Sequence, residues 1–237
     1  MTHMHIPDGV LPVWLWVTGF IVMALSLGLS LYRVRAMDRK KKIPLLGALA
    51  AVMLVAMSIP ILPPAYHINL SVTTGILLGP ALGFAAAFIA NVMLALMGHG
   101  GITVVGLNTI LLGSEAVLGH SLFFLFKKIR PLFWRAAMAT VLTLFITTVL
   151  LIGIVAATNL EPGHFFYHHE DHGQSVEARV SVSTFAVMVL SLGALGWLIE
   201  AAITGAVVRF IAQVKPDLLN HALHGAGGSV PKTGEKR

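Results

Sequence analysis

Residues 10–42 read VLPVWLWVTGFIVMALSLGLSLYRVRAMDRKKK, and this stretch decides the fold class. It is almost wholly apolar from Val10 to Val34, and Arg33, Arg35, Arg39, Lys40, Lys41 and Lys42 crowd its far end. A helix of that length crosses a hydrocarbon core of ~30 Å at ~1.5 Å per residue. No Lys or Arg precedes it, so it does not read as a cleaved signal peptide. Trp14 and Trp16 stand at its outer end as interfacial anchors. Basic residues stay in the cytoplasm, so the N-terminus is expected outside.

The rest of the chain follows the same pattern. It is 57% hydrophobic and only 11% charged, where ordinary soluble domains carry roughly 25% charge. A soluble protein with so little charge could not cover its surface, so the bilayer must be the solvent. The net charge of +6 belongs to membrane topology rather than to nucleic-acid binding.

Further spans are expected at residues 44–60, 69–79, 81–97, 103–126, 131–157 and 181–211. The second begins at Pro44, a good first-turn residue, and stops before Pro63-Pro64. Breaks fall at Gly79-Pro80 and at Gly98-His99-Gly100-Gly101. The third span is too short to cross alone, and such breaks are tolerated only inside a bundle or at a cavity. A single crossing with a re-entrant segment is the alternative.

The predicted architecture is an all-α integral membrane protein of about seven transmembrane helices, with its N-terminus outside and its C-terminus cytoplasmic. One transmembrane domain covers residues 1–215, with an N-terminal metal-binding segment at 1–9 and an external His-rich loop at 159–179. A cytoplasmic tail at 216–237 is expected to be partly disordered. Of sixteen Lys and Arg, only Arg179 falls on the external side. Histidine is biased the other way: His3, His5, His67, His99, His164, His168, His169 and His172 are external, against His120, His221 and His224.

There is no cysteine. Disulfides, thiolate metal sites and cysteine nucleophiles are excluded, while imidazole sites stay open. At the N-terminus, Met1-Thr2-His3-Met4-His5-Ile6-Pro7-Asp8-Gly9 offers an α-amine, backbone amides and imidazoles. An amine, a deprotonated amide and a nearby imidazole form fused chelate rings, and the square-planar result suits Ni(II) or Cu(II). Taken alone, the segment reads as an ordinary start followed by a turn. Tyr66-His67 follows Pro63-Pro64, and His99-Gly100-Gly101 opens another external turn. A lone interfacial His is more often a satisfied polar residue than a ligand.

Together these stretches resemble the CbiM/NikM family, the substrate-binding components of energy-coupling-factor (ECF) cobalt and nickel transporters. Residues Met4-His5-Ile6-Pro7-Asp8-Gly9 are similar to the family's N-terminal signature. His67, twelve residues before Gly79-Pro80, stands where the family has its internal ligand. The run His99-Gly100-Gly101-Ile102-Thr103 through Gly106 and Asn108 matches its loop and following helix. The resemblance covers roughly residues 4–120.

It implies that the transported Ni2+ or Co2+ is held by the Met4 amine, the His5 amide and imidazole, and His67, with His99 nearby as support or gate. Three residues precede Met4. If Met1 or Thr2 is the mature start, then Met1, Thr2 and His3 supply the alternative amine, amides and imidazole; Met4 is the expected functional start. By the same resemblance the partners are a transmembrane coupling (T) subunit, paired ATPase (A) subunits and often a small accessory membrane subunit, in the cell (inner or plasma) membrane. Cobalt uptake would serve cobalamin biosynthesis.

Other polar groups invite weaker readings. His164, His168, His169 and His172 either recruit metal or belong to an ordinary polar loop. Asn108 and Glu115, seven apart, share a face of one helix, and a carboxylate inside a membrane is functional by default. Support for the metal site is one role for them. Neither Glu115 nor Glu200 is expected to face lipid, and His120 is expected to be structural. No phosphate-binding loop is present, so ATP hydrolysis would fall to partners. The alternatives are a proton-coupled carrier using Glu115 and Glu200, or a metal-dependent intramembrane enzyme, although no His-Glu-x-x-His pair occurs.

Overall fold

The structure is a computed structural model. It describes residues 12–34, 39–59, 67–98, 100–157, 182–216 and 218–219. Segment 1–9, His99, the loop at 159–179 and the tail from residue 220 lie outside the described residues. So, therefore, do Met1, Thr2, His3, Met4, His5, His164, His168, His169 and His172.

Seven helices and no strand occur among the described residues: α1 (Val13–Val34), α2 (Arg39–Ser58), α3 (Ser71–Leu78), α4 (Pro80–Leu96), α5 (Val105–Leu125), α6 (Leu132–Ala157) and α7 (Val182–Val214). Helices α1, α5, α6 and α7 are each long and apolar enough to cross a membrane. Shorter apolar helices cover Ile43–Ser58 and Pro80–Leu96. Large apolar side chains such as Leu25, Trp134 and Leu195 lie exposed along these helices, as lipid-facing surfaces require.

The expected breaks have specific causes. Gly79 sits at φ 86°, a conformation that costs glycine little. Its N–H donates to Gly75 O at 2.9 Å, which closes α3. Pro80 then opens α4 at a first-turn position, where its missing N–H costs nothing. One expectation fails: α2 starts at Arg39, and Pro44 lies inside it rather than at its first turn. A proline there removes only one hydrogen bond, close to the helix start, and the apolar run beyond it carries the helix on.

Helix α5 lies at the centre, against α1, α3, α4 and α6, while α7 packs along α6 and reaches α3. Close approach is achieved with small residues, as in membrane bundles. A β-carbon at Gly106 would stand 2.6 Å from Phe20 N and 2.7 Å from Gly19 C, so α1 and α5 meet backbone to backbone there. Every residue of α3 is buried. Hydroxyls on the bundle helices turn back on their own backbone: Thr140 and Thr143 of α6 donate to Ala136 O and Ala139 O at 2.9 and 2.7 Å. This satisfies them without water.

Candidate metal site

Four residues, His67 to Leu70, lead into α3 without helical structure. His67 is half-buried, and Asn69 is fully buried. Leu70, immediately before the helix, has φ 59°. A bulky residue adopts that left-handed conformation only where its surroundings hold it there.

Three other helices supply the restraint. The backbone N–H groups of Asn69 and Leu70 both donate to Glu200 Oε1 of α7, at 3.1 and 3.0 Å. The Asn69 side-chain amide donates to Glu115 Oε2 of α5. The other oxygen of Glu115 accepts from the Thr147 hydroxyl of α6 at 3.1 Å. Asn69 Oδ1 accepts the Ser71 N–H at 2.9 Å and also the Ser71 hydroxyl. One helical turn further on, the Thr73 and Thr204 hydroxyls meet at 2.9 Å, joining α3 to α7 again.

Glu115 and Glu200 are thus both buried, away from lipid as expected, and they converge on a single residue, Asn69. The second oxygen of Glu200 is buried and has no hydrogen-bond partner among the described residues. Glu115 supports the segment that carries His67, two residues from Asn69. Asn108, also buried, lies two turns earlier on the same helix, and its backbone N–H bonds Val104 O at 2.9 Å. His120 belongs to the packing: its Nδ1 lies 3.1 Å from Gly75 O, and its ring rests 4.6 Å from that of Phe124.

Among the described residues no three His, Asp or Glu side chains gather as a metal site. Of the expected ligand set, only His67 falls within the described residues. Sequence reasoning missed Asn69, Ser71 and Thr147. The available signal was a polar residue two places after His67, inside a run that otherwise reads as a buried span.

The described residues form a multi-pass helical membrane protein in which a buried, polar-clamped segment follows a half-buried histidine. The chain belongs to the CbiM family, the cobalt uptake substrate-specific transmembrane region, whose model matches residues 5–218. It is 28% identical over 245 residues to the cobalt transport protein CbiM of Geobacter sulfurreducens, covering 99% of this chain and 66% of that protein. It is 29% identical over 223 residues to a Haloquadratum walsbyi protein named for metal transport, covering 91% and 93% of the two chains. A crystal structure of a transition metal transporter shares the fold, with a TM-score of 0.72 at 21% identity, over 94% of this chain and 100% of that one. The chain spans about two thirds of the Geobacter relative.

Proposed function

We propose that this chain captures Ni2+ or Co2+ outside the cell as the substrate-binding component of an ATP-driven ECF importer. The metal is held by the Met4 amine, the His5 amide and imidazole, and His67, with His99 as support or gate. The observation that carries this reading is the placement of His67: in a chain of this family, it heads a buried segment fixed by α5, α6 and α7. Such a ligand is preorganised, so binding does not first have to order it. A relative in Archaeoglobus fulgidus is named a fused nickel transport protein, and square-planar nitrogen ligation favours nickel on geometry.

The N-terminus lies outside and the tail inside, as the basic residues of segments 33–42 and 127–130 require. Energy comes from partner ATPases through a coupling subunit. The His-rich loop raises the local metal concentration. Intact-mass measurement of the purified protein during Ni(II) and Co(II) titration tests the core of the proposal. A chain beginning at Met4 with one tightly held metal supports it. A longer chain with tight binding moves the amine ligand upstream to Met1 or Thr2 and brings in His3. No tight metal with any start defeats it.

One observation favours a second reading: Glu115 and Glu200 are linked through Asn69 in the bundle interior, where a proton relay would sit. A proton-coupled carrier would keep transporting without any ATPase partner, whereas the ECF component would not.

A further inference from the structure

We propose that Glu200 and Glu115 are positioning residues for His67, acting through Asn69. The inference rests on reading His67 as a metal ligand.

The entry to α3 is built from outside the helix. The first N–H groups of a helix have no partner within it, and a residue just before the helix commonly caps them with its own side chain. Here that residue is Leu70, which offers no side-chain cap. Glu200, 130 residues away in sequence, instead fixes the approach to the helix, receiving Leu70 N–H and Asn69 N–H on one oxygen. Asn69 caps Ser71 from within the segment. The direction in which the chain leaves His67 is therefore set by α7.

The side chain of Asn69 is fixed at both ends. Its amide nitrogen faces Glu115 and its oxygen faces Ser71, so a flip would point each end at the wrong partner. Thr147 holds the far oxygen of Glu115. Asn69, Glu115 and Glu200 are all buried, so each of these bonds is expensive to lose. The arrangement resembles the outer partners of a metal-ligating histidine, which orient the ligand without touching the metal. Here the orientation passes through the backbone.

A simple cap and a positioning device predict different results. Losing a cap lowers stability and leaves metal affinity alone. Losing a positioning residue changes affinity and ligand geometry. The control is Thr204→Val, which breaks the neighbouring α3–α7 bond to Thr73 without touching residues 67–70.

The test uses the full chain in lipid nanodiscs. Three quantities are read: Ni(II) affinity by chelator competition, the Ni(II) d–d absorption band, and amide hydrogen exchange in the peptide spanning residues 67–72. Glu200→Ala is expected to weaken Ni(II) binding about 10- to 100-fold, to shift the band and to speed exchange. Glu200→Gln keeps an oxygen that accepts both N–H groups and should recover most of the affinity. Asn69→Ala keeps the backbone bonds to Glu200 but cuts the link to Glu115; it should also weaken binding and shift the band, and it serves if Glu200→Ala does not fold. Thr204→Val should leave affinity and band unchanged.

Faster exchange with unchanged affinity and band in Glu200→Ala or Asn69→Ala would reduce the cluster to a cap and overturn the proposal. An equal loss in Thr204→Val would overturn it in favour of general packing. If the parent chain binds no Ni(II) while exchange still responds to Glu200, the clamp is real but His67 is not a ligand, and the positioning role falls with it.

Discussion

Gly75 of α3 and Ala116 of α5 touch through their backbones: a β-carbon at Gly75 would land on the Ala116 carbonyl. His120, one turn along α5, reaches the Gly75 carbonyl from the same side. The helix that carries the His67 segment is thereby seated on the central helix of the bundle at a point with no room to spare.

Gly75→Ala should therefore push the two helices apart and cost about 1–3 kcal/mol, the usual range for overpacking. Gly28→Ala is the matched control, because a β-carbon there meets nothing within 4 Å. It should be neutral or stabilising by up to about 1 kcal/mol through helix propensity. Thermal unfolding in detergent, followed by tryptophan fluorescence, compares the two; equal midpoints would contradict the close seat.

His67→Ala and His5→Ala should each abolish tight Ni(II) and Co(II) binding while leaving the helical far-ultraviolet spectrum intact. Titration calorimetry reads the loss. Near-parental affinity in either variant would remove that residue from the ligand set.

Affinity should fall in acid. An α-amine with a pKa near ~7.7 and an imidazole near ~6.5 must both be unprotonated to bind metal. Protons compete with metal below each of those values, so the apparent affinity should decline progressively from about pH 8 to about pH 5. A flat profile over that range would argue against amine and imidazole ligation.

Near the C-terminal end of α5, the buried guanidinium of Arg135 donates through Nε to Phe123 O at 2.5 Å and lies 4.0 Å over the Phe123 ring. That carbonyl is among the last four of the helix, which lack partners within it. Arg135→Leu should cost about 1–3 kcal/mol by leaving the carbonyl unsatisfied. Arg135→Lys should recover little, since an ammonium offers neither the planar stack nor the fixed donor. Metal affinity should be unaffected in both, which titration checks.

The helices were legible in the sequence because hydropathy and punctuation act locally. Gly79-Pro80 and the glycines around residue 99 separate helices where local backbone preference says they must. The burial of Glu115 and Glu200 was legible too, since a carboxylate inside a bilayer has few places to go. Their meeting at Asn69 was not. It joins residues 46 and 131 positions apart, and nothing in a linear pattern brings two carboxylates to one asparagine. Pro44 misled for a related reason: a proline marks a helix start only when no helical chain precedes it, and here Arg39–Lys42 are helical.

Because α3 is enclosed on every side, its solvent is protein and never lipid. That frees it to carry Ser71, Thr73 and Thr74 inside a hydrophobic molecule, and it makes its environment independent of membrane composition. A change in acyl-chain length should perturb α1, much of whose surface is exposed, and leave the pedestal beneath His67 unmoved. The placement of His67 would then be set by the chain alone, the same in a thin bilayer as in a thick one.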